Sequence, residues 1–163
     1  FTLTRLTNFL SSAGPIPTKF DELPYLQTLI LNDNELTGNI QHITFPPTIK
    51  LLDLSNNKLS GSVPSSFLHN IPASANVRVD LSNNQITEIH ESVCTKKNLN
   101  NGDVEKYGCS GLLCPAGYYS NTGRHSQIGK CVYCPTATYL GSSICSEMAA
   151  TPAATALSIP RLM

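Results

Sequence analysis

The stretch from Leu26 to Val63 states one pattern twice. Leu26, Leu29, Leu31, Asn34, Leu36, Gly38 and Ile40 are followed by Ile49, Leu52, Leu54, Asn57, Leu59, Gly61 and Val63, each position advanced by 23 residues. A chain that repeats an apolar frame at such a period cannot bury that face within one unit. Successive units must stack so that each covers the next. Leu29 and Leu31 alternate with Thr28, Ile30 and Asn32, a two-residue period that predicts a short strand with one buried face. Strands supplied once per unit lie in parallel, ~4.8 Å apart.

Leucines at this spacing, with an asparagine following the strand, are the signature of a leucine-rich-repeat solenoid. Beyond each strand the chain turns inward, where backbone groups would be buried without partners. An inward amide both donates and accepts, so a column of asparagines can bond the backbone of successive turns. Asn34, Asn57 and Asn84 are expected to form that ladder.

The flanking units are less regular. Leu3, Leu6, Phe9 and Leu10 fit the frame poorly, whereas Gly14, Ile16, Pro17, Phe20 and Leu23 fit its descending half. Pro17 and Pro24 exclude a long helix there, because proline lacks the amide donor and clashes with the preceding turn. In the fourth unit Val79, Leu81, Asn84, Ile86 and Ile89 keep the frame, but Glu88 stands where a glycine is due. Asn84 follows Asn57 by 27 residues, so about four extra residues are expected within Leu68–Asn76, on the convex side.

Six cysteines fall between Cys94 and Cys145, and none lies in the repeats. That clustering favours disulfides and therefore an oxidising, extracellular or cell-surface location over reduced thiols or zinc. Fifty residues with few aliphatics bury little by themselves, so covalent staples are needed, and a terminal repeat needs its leucine face covered. The fold expected is thus a leucine-rich-repeat solenoid of short parallel β-strands with an irregular, 3₁₀ convex side, followed by a small disulfide-rich cap. Residues 1–93 hold about four repeats, the first and last atypical; residues 94–145 form the cap. The Ala/Thr/Ser/Pro-rich residues 146–163 read as a flexible tail. No run of ~18 apolar residues is present to span a membrane.

The Leu-x-Gly-x-Ile/Val ending at Leu36–Ile40 and Leu59–Val63, closed by Pro64 in the second, resembles the plant-type subclass of extracellular leucine-rich repeats. That subclass occurs in receptor-like kinase ectodomains and in secreted inhibitors of polysaccharide-degrading enzymes. Cys114-Pro115-Ala116-Gly117-Tyr118-Tyr119-Ser120, Gly123, Cys131-x-x-Cys134-Pro135, Tyr139 and Cys145 resemble the cysteine-rich modules of ephrin-receptor-like and TNF-receptor-like ectodomains. The two in tandem are similar to secreted or surface proteins of diatoms and related algae. Plant-type ectodomains begin with their own cysteine-paired cap, which implies further repeats upstream of Phe1. Pairing Cys94 with Cys109, Cys114 with Cys131 and Cys134 with Cys145 closes each Cys-Pro start with the next cysteine. An overlapping arrangement, Cys109 with Cys131 and Cys114 with Cys134, fits nearly as well.

Little in the chain points to catalysis. His42, His69, His90 and His125 are scattered, and no nucleophile elbow, metalloprotease helix or phosphate loop occurs. No cofactor and no metal are expected. There is no Asn-x-Ser/Thr acceptor for glycosylation. With 11 basic and 11 acidic residues, the chain offers no electrostatic case for nucleic acid. The surface left for recognition is the concave sheet. Its outward positions are Thr28, Ile30, Asn32 and Asp33, then Leu51, Asp53, Ser55 and Asn56, then Arg78, Asp80, Ser82 and Asn83. This polar, slightly acidic set is expected to bind a protein or polysaccharide partner. Enzyme inhibition, or a structural role at the cell surface or in the matrix, is the alternative.

Overall fold

The computed structural model describes residues 5–7 and 13–146. The expected tail from residue 147 onward, and Leu3, Phe9 and Leu10 of the first repeat, lie outside them.

One parallel sheet is built from β1 (Arg5–Thr7), β3 (Thr28–Ile30), β5 (Leu51–Asp53) and β7 (Arg78–Asp80), in that order. Leu29 pairs with Leu52 and Leu52 with Val79, so the inward side chains form a column. All three are 1% exposed or less. Full burial of each such side chain stabilises the stack by roughly 1.5–3 kcal/mol.

Each coil carries a second strand that the leucine frame does not announce. β2 (Ala13–Pro15), β4 (Glu35–Asn39), β6 (Lys58–Val63) and β8 (Gln85–Ile89) form another parallel sheet. Its register sets the glycine of one coil beside the leucine or isoleucine of the next: Gly14 with Leu36, Gly38 with Leu59, Gly61 with Ile86. Gly61 has φ +86°, and a Cβ there would lie 2.2 Å from Asn39 Oδ1. In the fourth coil, where Glu88 replaces the glycine, the pairing shifts between Gly61 and Ser62 and a bulge results.

Short 3₁₀ turns at Phe20–Glu22, Ile40–His42 and Glu91–Val93 complete the coils. Between the sheets runs a spine of phenylalanines. Phe20 stacks on Phe45 with centroids 6.0 Å apart, and Phe67 meets Phe45 edge-on at 5.7 Å.

The asparagine column is formed. Asn57 Nδ2 donates to the carbonyls of Leu31, Leu54 and Ser55, and its Oδ1 accepts from Leu36 N at 3.0 Å. Asn84 repeats this one coil on, with Leu54, Leu81, Ser82 and Leu59 N. Asn34 donates to Leu31 and Asn32.

The cysteines pair sequentially, Cys94 to Cys109, Cys114 to Cys131 and Cys134 to Cys145. The segment they staple contains α1 (Asp103–Tyr107) and a two-stranded antiparallel ribbon of β9 (Tyr118–Tyr119) and β10 (Val132–Tyr133). Val104, Leu112 and Leu113 are buried and join the core of the coils. The stapled segment therefore adds its few aliphatics to the solenoid's core.

Candidate functional site

The register of the first sheet decides what its open face presents. Arg5, Thr28, Leu51 and Arg78 stand side by side, and so do Thr7, Ile30, Asp53 and Asp80. Four strands at ~4.8 Å spacing give a strip ~14 Å across. Ile30, Leu51, Asp53 and Asp80 are partly exposed, and Arg5 and Arg78 are exposed. The strip thus carries arginines along one column and aspartates along the next. Arg5 and Thr7 escaped the sequence reading because the first unit fits the frame poorly. The signal was there: Leu6 precedes Leu29 by the same 23 residues, and the two are paired.

Ser55 and Ser82 do not line this face. Each is 6% exposed, turned back onto the carboxylate that precedes it. Asp53 Oδ1 accepts from Ser55 N at 3.1 Å and from Ser55 Oγ at 2.7 Å; Asp80 Oδ1 accepts from Ser82 N at 3.0 Å and from Ser82 Oγ at 2.6 Å. A short hydroxyl two residues after an aspartate closes such a turn readily. The bonds engage Oδ1, and Oδ2 of each aspartate has no partner among the described residues.

Asp33, Asn56 and Asn83 also sit off the strands. They occupy left-handed turns, with φ of 55°, 54° and 53°, a conformation that Asn and Asp tolerate best. Their side chains form an outer ladder. Asn56 Nδ2 donates to Asp33 Oδ1 at 2.8 Å and Asn83 Nδ2 donates to Asn56 Oδ1 at 2.7 Å. Asn83 continues into the cap, where it donates to Ser143 Oγ and accepts from Ser143 N at 2.8 Å. Asn32 bonds to Asp33. Asn83 is thus half-buried under the cap, and Asn32, Asp33 and Asn56 border the face as a rim.

The cap ends the strip. Gly123 and Gly141 lie against Ser82, so close that a Cβ on Gly123 would fall 2.4 Å from the Ser82 Cβ. Arg124 Nη1 reaches the Val79 carbonyl at 3.2 Å. The recognition surface is therefore bounded on its C-terminal side beyond Arg78 and Asp80.

The histidines do not converge. His69 Nδ1 lies 2.7 Å from the Ser66 carbonyl, His90 bonds Ser92, and His125 stacks on Tyr107. Among the described residues no group of His, Cys, Asp and Glu is placed to hold a metal ion. No helix among them is long and apolar enough to cross a membrane.

A parallel sheet closed by inward leucines and an asparagine column defines a leucine-rich-repeat solenoid. Comparison with known proteins agrees: the family model described as Leucine Rich Repeat matches residues 48–70. The chain is 39% identical over 56 residues to a probable leucine-rich-repeat receptor-like serine/threonine-protein kinase of Arabidopsis thaliana, covering 34% of this chain and 6% of that protein. It is 35% identical over 78 residues to receptor-like protein 39 of the same plant, 45% of this chain and 8% of the relative. For receptor-like protein 41 the match is 41% over 64 residues, 37% and 7%. These are leucine-rich repeats of plant type, and the part aligned with the relatives is the repeat array, a non-catalytic element. The chain spans less than a tenth of the length of these relatives. No solved structure matches it significantly.

Proposed function

We propose that this chain is part of an extracellular recognition protein and that it receives a protein partner on its concave sheet, without catalysing a reaction. The observation that carries the reading is the pairing of Asp53 with Asp80 on adjacent strands. Like charges directly opposite one another destabilise a sheet. Their serines satisfy only one oxygen of each carboxylate, so a basic side chain set between them would relieve the repulsion. Ile30 and Leu51 supply apolar contact beside the pair, and Arg5 and Arg78 form a stripe of opposite sign. A two-signed strip selects a partner by charge complementarity, which suits a protein surface better than a neutral polysaccharide. The likeness to receptor-like proteins supports an interaction role, and the three disulfides support an oxidising compartment.

The test starts from the immobilised chain, exposed to the extracellular proteins of its source. Whatever it retains is then titrated against wild type, Asp53→Arg/Asp80→Arg and, as a control on the cap, Tyr133→Ala. The charge reversal is expected to weaken binding at least about a hundredfold, because juxtaposed like charges cost several kcal/mol. The cap variant should bind as wild type does. Equal affinity for all three proteins would reject the concave face as the binding surface.

A further inference from the structure

The fourth coil is the longest, and its extra chain does not close onto the core. Leu68, Ile71, Pro72 and Val77 of that coil, with Leu99 from the approach to the cap, line a hollow of about 350 Å³. Its polar wall is Thr95, Lys96 and Lys97. None of these residues belongs to β3, β5 or β7, so the hollow is separate from the concave strip.

Three features distinguish it from a packing fault. Leu68 is 4% exposed and holds φ +59°, a conformation that bulky side chains avoid. The turn that results presents the Leu68 carbonyl to Lys96 Nζ at 3.4 Å. The loop across the mouth is tied down from the cap side, where Asn98 Nδ2 donates to the Ala73 carbonyl at 3.2 Å and Asn76 Nδ2 to Asn101 Oδ1 at 3.1 Å. The walls are thus held apart in advance, as in sites for small ligands, which run from ~300 to 1,000 Å³.

The lining states what would fit. Its body is aliphatic, so an occupant gains by burying apolar surface. The charged groups on its wall are both cations, and no acidic residue lines it. Among the described residues the ion pairs are Lys19–Glu22 and Lys58–Glu35; Lys96 and Lys97 take part in neither. An ammonium carries three protons to donate, and Lys96 spends one on a long bond. We propose that this hollow binds a small molecule with an apolar body and a single carboxylate, the carboxylate held by Lys96.

Calorimetric titration of the full chain with decanoate tests this, with decan-1-ol as the body without the charge and acetate as the charge without the body. Decanoate should saturate at one molecule per chain and bind at least about tenfold more tightly than either, the difference expected of a charged hydrogen bond. Lys96→Gln should remove that advantage over decan-1-ol. Ala75→Trp, which fills the hollow from its wall, should abolish binding of both, and Ala73→Trp at the exposed lip replaces it if the first variant melts early. Absence of saturation, equal binding of decanoate and decan-1-ol, or binding that survives the tryptophan in a folded variant would overturn the proposal. So would saturation by an apolar peptide but not by decanoate.

Discussion

Val79 donates its backbone N–H to the side-chain oxygen of Asn100 at 2.7 Å, and Asn100 is only 2% exposed. Val79 lies on β7, the last strand of its sheet, and its amide and carbonyl point to where a fifth strand would lie. The carbonyl is met by Arg124 Nη1, and Asn100 N donates to the Val77 carbonyl at 2.9 Å. The cap thus ends the sheet by imitating the next strand with side chains. An open parallel edge would present unpaired donors and acceptors and invite association.

Replacing Asn100 by alanine should therefore cost about 1–3 kcal/mol, because a buried amide is left without a partner. Asn101→Ala is the matched control. Asn101 holds a similar left-handed φ, 57° against 53°, but is exposed, so the backbone cost is common to both. Urea unfolding of the two variants measures the difference, and equal losses would show that the buried bond to Val79 contributes nothing.

The inner asparagine column makes a similar demand. Asn57 bonds four backbone groups, so Asn57→Ala should lower stability by at least about 2 kcal/mol. Asn56 belongs to the exposed outer ladder, and Asn56→Gly keeps its left-handed turn free of strain. That change should cost under about 1 kcal/mol, the range of an exposed polar contact. Thermal melts rank the pair; a larger loss for Asn56→Gly would contradict the assignment of the inner column as the structural one.

Seating of the cap depends on a close contact. Gly123 has no room for a methyl group, being hemmed in by the Ser82 Cβ and the Gly141 carbonyl. Gly102 also has positive φ but has nothing within 4 Å of a built Cβ. Gly123→Ala should exceed Gly102→Ala in destabilisation by about 1–3 kcal/mol, the usual cost of overpacking. Hydrogen exchange at Asn83 and Leu140, whose amides bond across the junction to Gly141 and Ile86, should accelerate in Gly123→Ala and stay protected in Gly102→Ala.

Removing the first disulfide with Cys94→Ser/Cys109→Ser opens a loop of 15 residues, for which loop closure predicts about 3 kcal/mol of lost stability. The same variant frees the link between the last coil and α1. Non-reducing peptide maps of the variant should still join Cys114 to Cys131 and Cys134 to Cys145, and scrambled pairs would mean that the first bridge directs the other two.

What the sequence by itself determined was whatever recurs. The 23-residue frame assigns Leu29, Leu52 and Val79 to one buried column, because a strand period of two leaves one face for leucine. It assigns Asn57 and Asn84 to the inner turns, because only a side chain that donates and accepts can satisfy the backbone there. The recognition strip was only partly legible. Ile30, Leu51, Asp53 and Asp80 followed from the alternation, but Ser55 and Ser82 share the outward parity and are nevertheless buried. The strand has ended before them, and beyond its end parity no longer predicts direction.

The tertiary structure alone decided what depends on one-off contacts. The second sheet is carried by a glycine-to-leucine register offset between coils, which no single repeat displays. The roles of Asn100, Arg124 and Gly123 arise where a non-repeating segment meets the last coil. Such a segment has no periodicity to announce its partners, so its docking is settled only when complementary shapes and unpaired backbone groups come together in three dimensions.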